Sequence, residues 1–460
     1  MSEPTGRPVR LPAAPAAGAG AWPTRPAGLP GAVPPPAVPL AYLGAAAAGL
    51  VACGAALVWA SRTATLDPTA DRVVAAAHLG MLATLSMGVL GAAHQFVPVV
   101  TQRPLRSVRL AWATFAAWLG GAWLLPAGFA TGQEGVVEAG GALAAVALTL
   151  LVLNLWHPLA SRGKGAPVTG LRFALAGFVV TGCFGVVYVA DRRGNWWDLS
   201  GHVVLAHAVV GLFGWLGLTY IAVAEKLWPM FFLAHVPGRH LAGRVAVRAV
   251  PAGVALLSPG LLLGVPLLAG PGALVLAAGL AAHLLSLRAH VRNRRRKVDL
   301  HLAFVLTSAG WLPVGAGLAL AAAVMMPSHH HAGVALVAAS VAAFGGWILE
   351  AMVGHSYKVV PFVCWSVLRA RGVDKGTGGR PLLFADLYGH AWAALSYGFV
   401  TAGIAALCFG LGAGVAIATV LAGALFAATG LVTALNLTVR PVRLLAVGRP
   451  ARAGLAPAGH

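Results

Sequence analysis

Three polar pairs interrupt long apolar runs, each three and four residues ahead of a proline: His94-Gln95 before Pro98, Glu225-Lys226 before Pro229, and Tyr357-Lys358 before Pro361. An ionisable side chain inside a bilayer is costly, so it marks either a functional site or a paired structural one. These pairs belong to an inner layer of polar groups that also holds Glu350, His355, His301, Asp386 and His390. Carboxylates, imidazoles and amines at that depth suit a proton path, an anion site or a metal site. Glu350, His355 and Glu225 are the candidates for catalytic or ion-handling roles. The structural alternative lets Lys226 and Lys358 snorkel to the interface and pair with nearby acids. His157, His240, His283 and His290 read as interfacial groups at inner helix ends.

Helical geometry sharpens the expectation for the third pair. Each residue advances about 100°, so Glu350 and His355 are expected to face the interior while Lys358 turns to the interface. A buried acid needs a donor, and His355, His390 or Thr307 is expected to supply it. Pro361 has no N–H and frees a carbonyl one turn earlier, so part of the polar clustering repairs the backbone.

A second, outer layer holds His78, His202, His207 and the run MMPSHHH, which ends in His329, His330 and His331. Imidazole is a good ligand for haem iron and copper, and methionine assists copper(I). His202 and the three consecutive histidines are the candidate metal ligands, and His207 is a candidate haem or copper ligand. The bland reading of the histidine run is a solvated loop. Four cysteines, Cys53, Cys183, Cys364 and Cys408, show no metal-binding spacing and read as core residues.

The elements that must position these groups are transmembrane helices. The chain is 59% hydrophobic and 10% charged, against about 25% charged in a soluble domain. Apolar runs of membrane-crossing length recur from residue 39 to 440, and strand alternation is absent. Twelve helices are predicted, at 39–61, 73–101, 107–129, 136–159, 171–190, 203–233, 244–269, 270–291, 299–326, 331–366, 386–412 and 414–440. Residues 1–38, rich in Pro, Ala and Gly, read as a disordered tail without a signal peptide, and 441–460 as a second tail.

The net charge of +20 invites a nucleic-acid partner, but the distribution of charge excludes it. Of 32 Lys and Arg residues, all but six fall on one side of the predicted helices. Arg62, Arg72, Arg192 and Arg193 lie on the other side, and Lys226 and Lys358 lie within helices. This asymmetry places both termini in the cytoplasm and the chain in the plasma (inner) membrane. Lipid is therefore the expected partner, and the cluster RAHVRNRRRK suits anionic headgroups. Trp196 and Trp197 read as an outer aromatic belt.

The three prolines are 131 and 132 residues apart, and their helices are all even-numbered and so run in the same direction. The chain therefore divides into three pseudo-symmetric four-helix repeats, 39–160, 171–291 and 299–440, with helices 2, 6 and 10 equivalent.

Twelve helices in three four-helix units resemble subunit I of the haem–copper oxidases and nitric oxide reductases. HAVVGLFGWLGLTYIAVAEKLWPMF, and GHSYKVVPFVCW followed by RPLLFADLY, resemble recurrent stretches of the wider oxidase-like group, and the NnrS family of haem- and copper-containing membrane proteins has a similar architecture. The resemblance implies haem, and places His78 where the family's helix-2 haem ligand sits. It also implies copper and a redox donor or other respiratory subunits as partners. The departures are equally specific. Helix 7 has no His where the family holds copper with a His-His pair, and the outer half of helix 10 lacks the family's two haem ligands. The reading is a haem-binding oxidase-like protein in redox, nitric oxide or copper handling, without a complete binuclear centre. The rival is a cofactor-free transporter or channel using intramembrane Glu, His and Lys; a third is a structural subunit that has lost its cofactors.

Overall fold

The computed structural model of the chain describes residues 34–67, 69–160, 165–196, 201–236, 241–324, 329–376 and 379–447. Among these the structure is all-helical, with twelve helices long and apolar enough to cross a membrane and no β-strand. They are α1 (Ala37–Leu66), α2 (Asp71–Thr101), α3 (Val108–Thr131), α4 (Glu134–Leu159), α5 (Ala166–Gly194), α6 (His202–Phe231), α7 (Leu241–Leu262), α8 (Pro266–Arg292), α9 (Leu300–Val324), α10 (Ala335–Ala370), α11 (His390–Gly412) and α12 (Ala416–Leu445). The chain is thus a multi-pass membrane protein whose outer helix faces contact lipid.

Several boundaries shift by up to about five residues, and three of the differences have a local cause. The turn between α7 and α8 falls at 263–265 rather than at residue 269, because Gly264 takes φ +63, a left-handed conformation that suits glycine. Asp386 lies in a short 3-10 turn, Phe384–Leu387, instead of opening α11. Its Oδ2 accepts from the Leu383 N–H at 2.9 Å. The last helix continues past Pro441, so the first residues of the expected C-terminal tail are helical.

Burial sorts the helices. In their most apolar stretch, 50%, 61% and 61% of residues are buried in α2, α6 and α10, against 39% or less in any other. These three also touch one another. Trp215 of α6 donates its Nε1–H to Ser86 Oγ of α2 at 3.4 Å. A Cβ on Gly88 of α2 would meet Met352 of α10, and one on Gly217 of α6 would meet the Trp347 ring of α10. Around them, neighbours pair as hairpins, α3 with α4, α7 with α8 and α11 with α12, and α1 lies along α12.

Each of the three buried helices contains a π-helical segment, Leu79–Ser86, Val210–Gly217 and Ala342–Leu349. Each begins 19 residues before its helix's proline: Leu79 to Pro98, Val210 to Pro229, Ala342 to Pro361. A π turn shifts the hydrogen-bond register and leaves carbonyls to be satisfied from elsewhere. In α2, Trp118 of α3 donates Nε1–H to Leu82 O at 3.1 Å and Thr84 Oγ1 donates to Leu79 O at 3.1 Å.

The second π segment packs backbone to backbone. A Cβ on Gly177 of α5 would collide with the Gly214 carbonyl. Backbone cannot yield as a flexible side chain does, so Gly177→Val is expected to destabilise by about 1–3 kcal/mol. Thermal unfolding in detergent should show a lowered Tm for this variant. Leu274→Ala, at an exposed position on α8, is the control and should leave Tm close to that of the wild type.

Candidate functional site

The outer layer draws on α2, α3, α4, α5 and α6. His78 is half-buried, and its Nδ1 lies 2.8 Å from Val74 O, one turn back. In the tautomer that donates this bond, Nε2 is the nitrogen left for a ligand. The ring packs 5.4 Å from Phe129, and the Arg192 guanidinium covers that phenyl face at 5.0 Å. Arg192 in turn binds Asp71 at 3.1 Å and Glu134 at 2.7 Å, tying the ends of α5, α2 and α4 together over the histidine.

His207 is half-buried between Tyr188 and Phe184, at 5.7 and 6.1 Å, and its Nδ1 is buried without a partner. The Tyr188 hydroxyl donates to Val203 O at 2.6 Å, which fixes the ring beside it. His202 is exposed, next to the α7–α8 turn. The side chains of His329, His330 and His331 lie outside the described residues, as does Trp197; Trp196 is exposed.

The inner layer divides into separate sites. Glu350 is fully buried, and both of its oxygens accept a hydrogen bond. Trp311 Nε1–H donates to Oε2 at 2.8 Å and Thr401 Oγ1 to Oε1 at 2.7 Å. These are not the expected donors. Thr307 pairs with the Tyr397 hydroxyl at 2.7 Å, His390 is exposed, and His355 Nδ1 lies 2.7 Å from Ala351 O. Glu225 is half-buried and accepts from Ser286 Oγ of α8 at 2.7 Å, while Lys226 is exposed. Tyr357 shares a hydrogen bond with Ser396 at 2.8 Å, and His94 Nδ1 lies 2.8 Å from Leu90 O.

Between α6, α8, α9 and α10 histidines and aromatic rings pack together. His283 is 0% exposed, stacked 4.8 Å from Trp228, and neither ring nitrogen has a partner. His290, also 0% exposed, directs Nδ1 to Ser286 O at 2.8 Å. Tyr220 bridges His283 and His355 at 5.7 and 5.8 Å, and His301 lies 5.1 Å from His355. His283 and His290 are therefore core groups, not interfacial ones. Their spacing of seven residues, with Ser286 between, puts all three on one face of α8, and that pattern was available in the sequence. His157 is exposed, and His240 lies outside the described residues.

Beside this cluster Lys358 binds Asp299 at 3.0 Å, and Arg296 binds the same oxygen at 2.8 Å. Asp299 also accepts from the Leu302 N–H at 3.0 Å, capping α9. Burial raises the Asp299 carboxyl, but the Lys358 charge and the hydrogen bonds outweigh it, so its pKa is lowered.

Among the described residues no three His, Cys, Asp or Glu side chains gather as they would around a metal ion. Comparison with known proteins gives no matching family model and no matching curated protein.

The lowered Asp299 pKa fixes a pH dependence. Stability from this group is present above the ordinary aspartate value of about 4 and is lost as pH falls through the lower folded value. Asp299→Asn should therefore reduce Tm near neutral pH and flatten the loss of Tm below about pH 4. Melting curves across an acid series check both.

Proposed function

We propose that the protein is a haem-binding, oxidase-like integral membrane protein serving redox, nitric oxide or copper handling, without a complete haem–copper binuclear centre. The observation that carries this reading is that two imidazoles, His78 and His207, stand on two of the three most buried helices. Their donor chemistry fits haem iron: a carbonyl-anchored imidazole on α2 and an imidazole with a buried, unpartnered nitrogen on α6. A bound haem would supply one-electron chemistry. The chain's part is to hold the ligands. Val74 O orients the His78 ring, Tyr188 and Phe184 brace His207, and Arg192 closes the end of the site nearest Phe129.

The same reading takes α1–α4, α5–α8 and α9–α12 as three related four-helix units. It is supported by the common interval from π segment to proline and by the shared burial of α2, α6 and α10. A second recurrence also supports it. Asn154 near the end of α4 accepts from the Ser107 N–H at 2.9 Å, and Asn436 near the end of α12 accepts from the Gly389 N–H at 2.6 Å. Both asparagines stand in Leu-Asn-Leu, and Ser286 stands in the matching Leu-Ser-Leu of α8. The charge asymmetry supports a plasma-membrane location with both termini in the cytoplasm, where a redox donor or respiratory subunit would be the partner.

The optical spectrum of the purified protein tests the function. A Soret band with one or two irons per chain is expected, and His78→Ala should remove or shift it. An unchanged spectrum in that variant retires His78 as a ligand. A wild-type protein without iron or a Soret band overturns the haem reading and favours the cofactor-free transporter.

A further inference from the structure

We infer that His301 of α9 and His355 of α10 form a two-coordinate site for a copper(I) ion, apart from the haem ligands. The two rings lie 5.1 Å apart at 68° to each other. His301 is 3% exposed, and neither of its nitrogens has a partner. His355 anchors Nδ1 to Ala351 O and leaves a buried Nε2 without a partner. Buried polar nitrogens in folded proteins are normally satisfied, so unpartnered nitrogens on two adjacent imidazoles call for a shared ligand. The Nδ1–carbonyl bond is the arrangement that fixes a metal-binding histidine in its tautomer.

The donor set selects the ion. Imidazole suits copper and zinc, but structural zinc takes four ligands, and no third His, Cys, Asp or Glu joins this pair among the described residues. Copper(I) accepts two nitrogen donors. Lys358 and Arg296 outnumber Asp299 beside His301, so charge opposes any cation here and opposes a dication most. The cost of transferring an ion into a dry interior scales with the square of its charge, so a monocation carries about a quarter of a dication's penalty. Asp299, two residues from His301, is already engaged by Lys358 and Arg296 and has no charge to spare for a dication. Phe231, at 4.8 and 5.9 Å from the two rings, and Tyr220, at 5.8 Å from His355, make the surroundings apolar. With metal–nitrogen distances of about 2 Å, rings on a shared ion sit roughly 6 Å apart when linear, so loading requires the two edge-to-face rings to turn and to separate by about 1 Å.

The test is an anaerobic titration of the purified full-length protein with copper(I) held by bicinchoninate. One tight equivalent is expected. His301→Gln and His355→Gln should each lose it, while His78→Ala keeps it, so this site and the haem reading fail independently. X-ray absorption of the copper-loaded wild type, which needs no variant to fold, should show two nitrogen neighbours and no sulfur. Absence of a tight equivalent in the wild type overturns the proposal, as expected if the imidazoles rotate to bond each other or hold only water. A tight equivalent that survives both substitutions, or a shell containing sulfur, also overturns it.

Discussion

Polar groups inside this bundle must be satisfied without bulk water, and the arrangement of the molecule follows from that constraint. The three most buried helices carry the π segments, and side chains from neighbouring helices meet the groups those segments expose, as Trp118 does for Leu82 O. Glu350 obeys the same demand: a fully buried carboxyl persists because α9 and α11 each send it one donor. His207, His283, His301 and His355 are among the buried groups where the demand is unmet, each keeping a ring nitrogen without a partner.

The two layers differ in how they are built. The outer pair sits beneath an ion-pair clamp in which one arginine joins three helix ends. The clamp's two acids are more than a third exposed, so its value lies in positioning more than in stability. The inner histidines pack among aromatic rings, with the Lys358–Asp299 ion pair beside them.

Helix number and type were legible because each span is a long apolar run, and hydropathy reports that directly. The end of α7 was not, because the run continues through Leu262, Leu263 and Val265, and only the φ of Gly264 breaks the helix. The prolines pointed to the three buried helices, but the π segments have no composition of their own. Glu350 was legible as a buried acid. Its donors, Trp311 and Thr401, were not, because they lie 39 and 51 residues away and only packing brings them in. His283 and His290 read as interfacial in the sequence because they fall near the end of an expected helix. Whether an imidazole is covered depends on what packs over it, here Trp228.

The outer pair carries the proposed function, in which His78 and His207 would hold a haem iron. The most direct measurement is iron-edge anomalous diffraction from crystals of the protein as purified. An anomalous peak between the two imidazoles is the predicted result. No iron peak, or one bound elsewhere in the bundle, would contradict it.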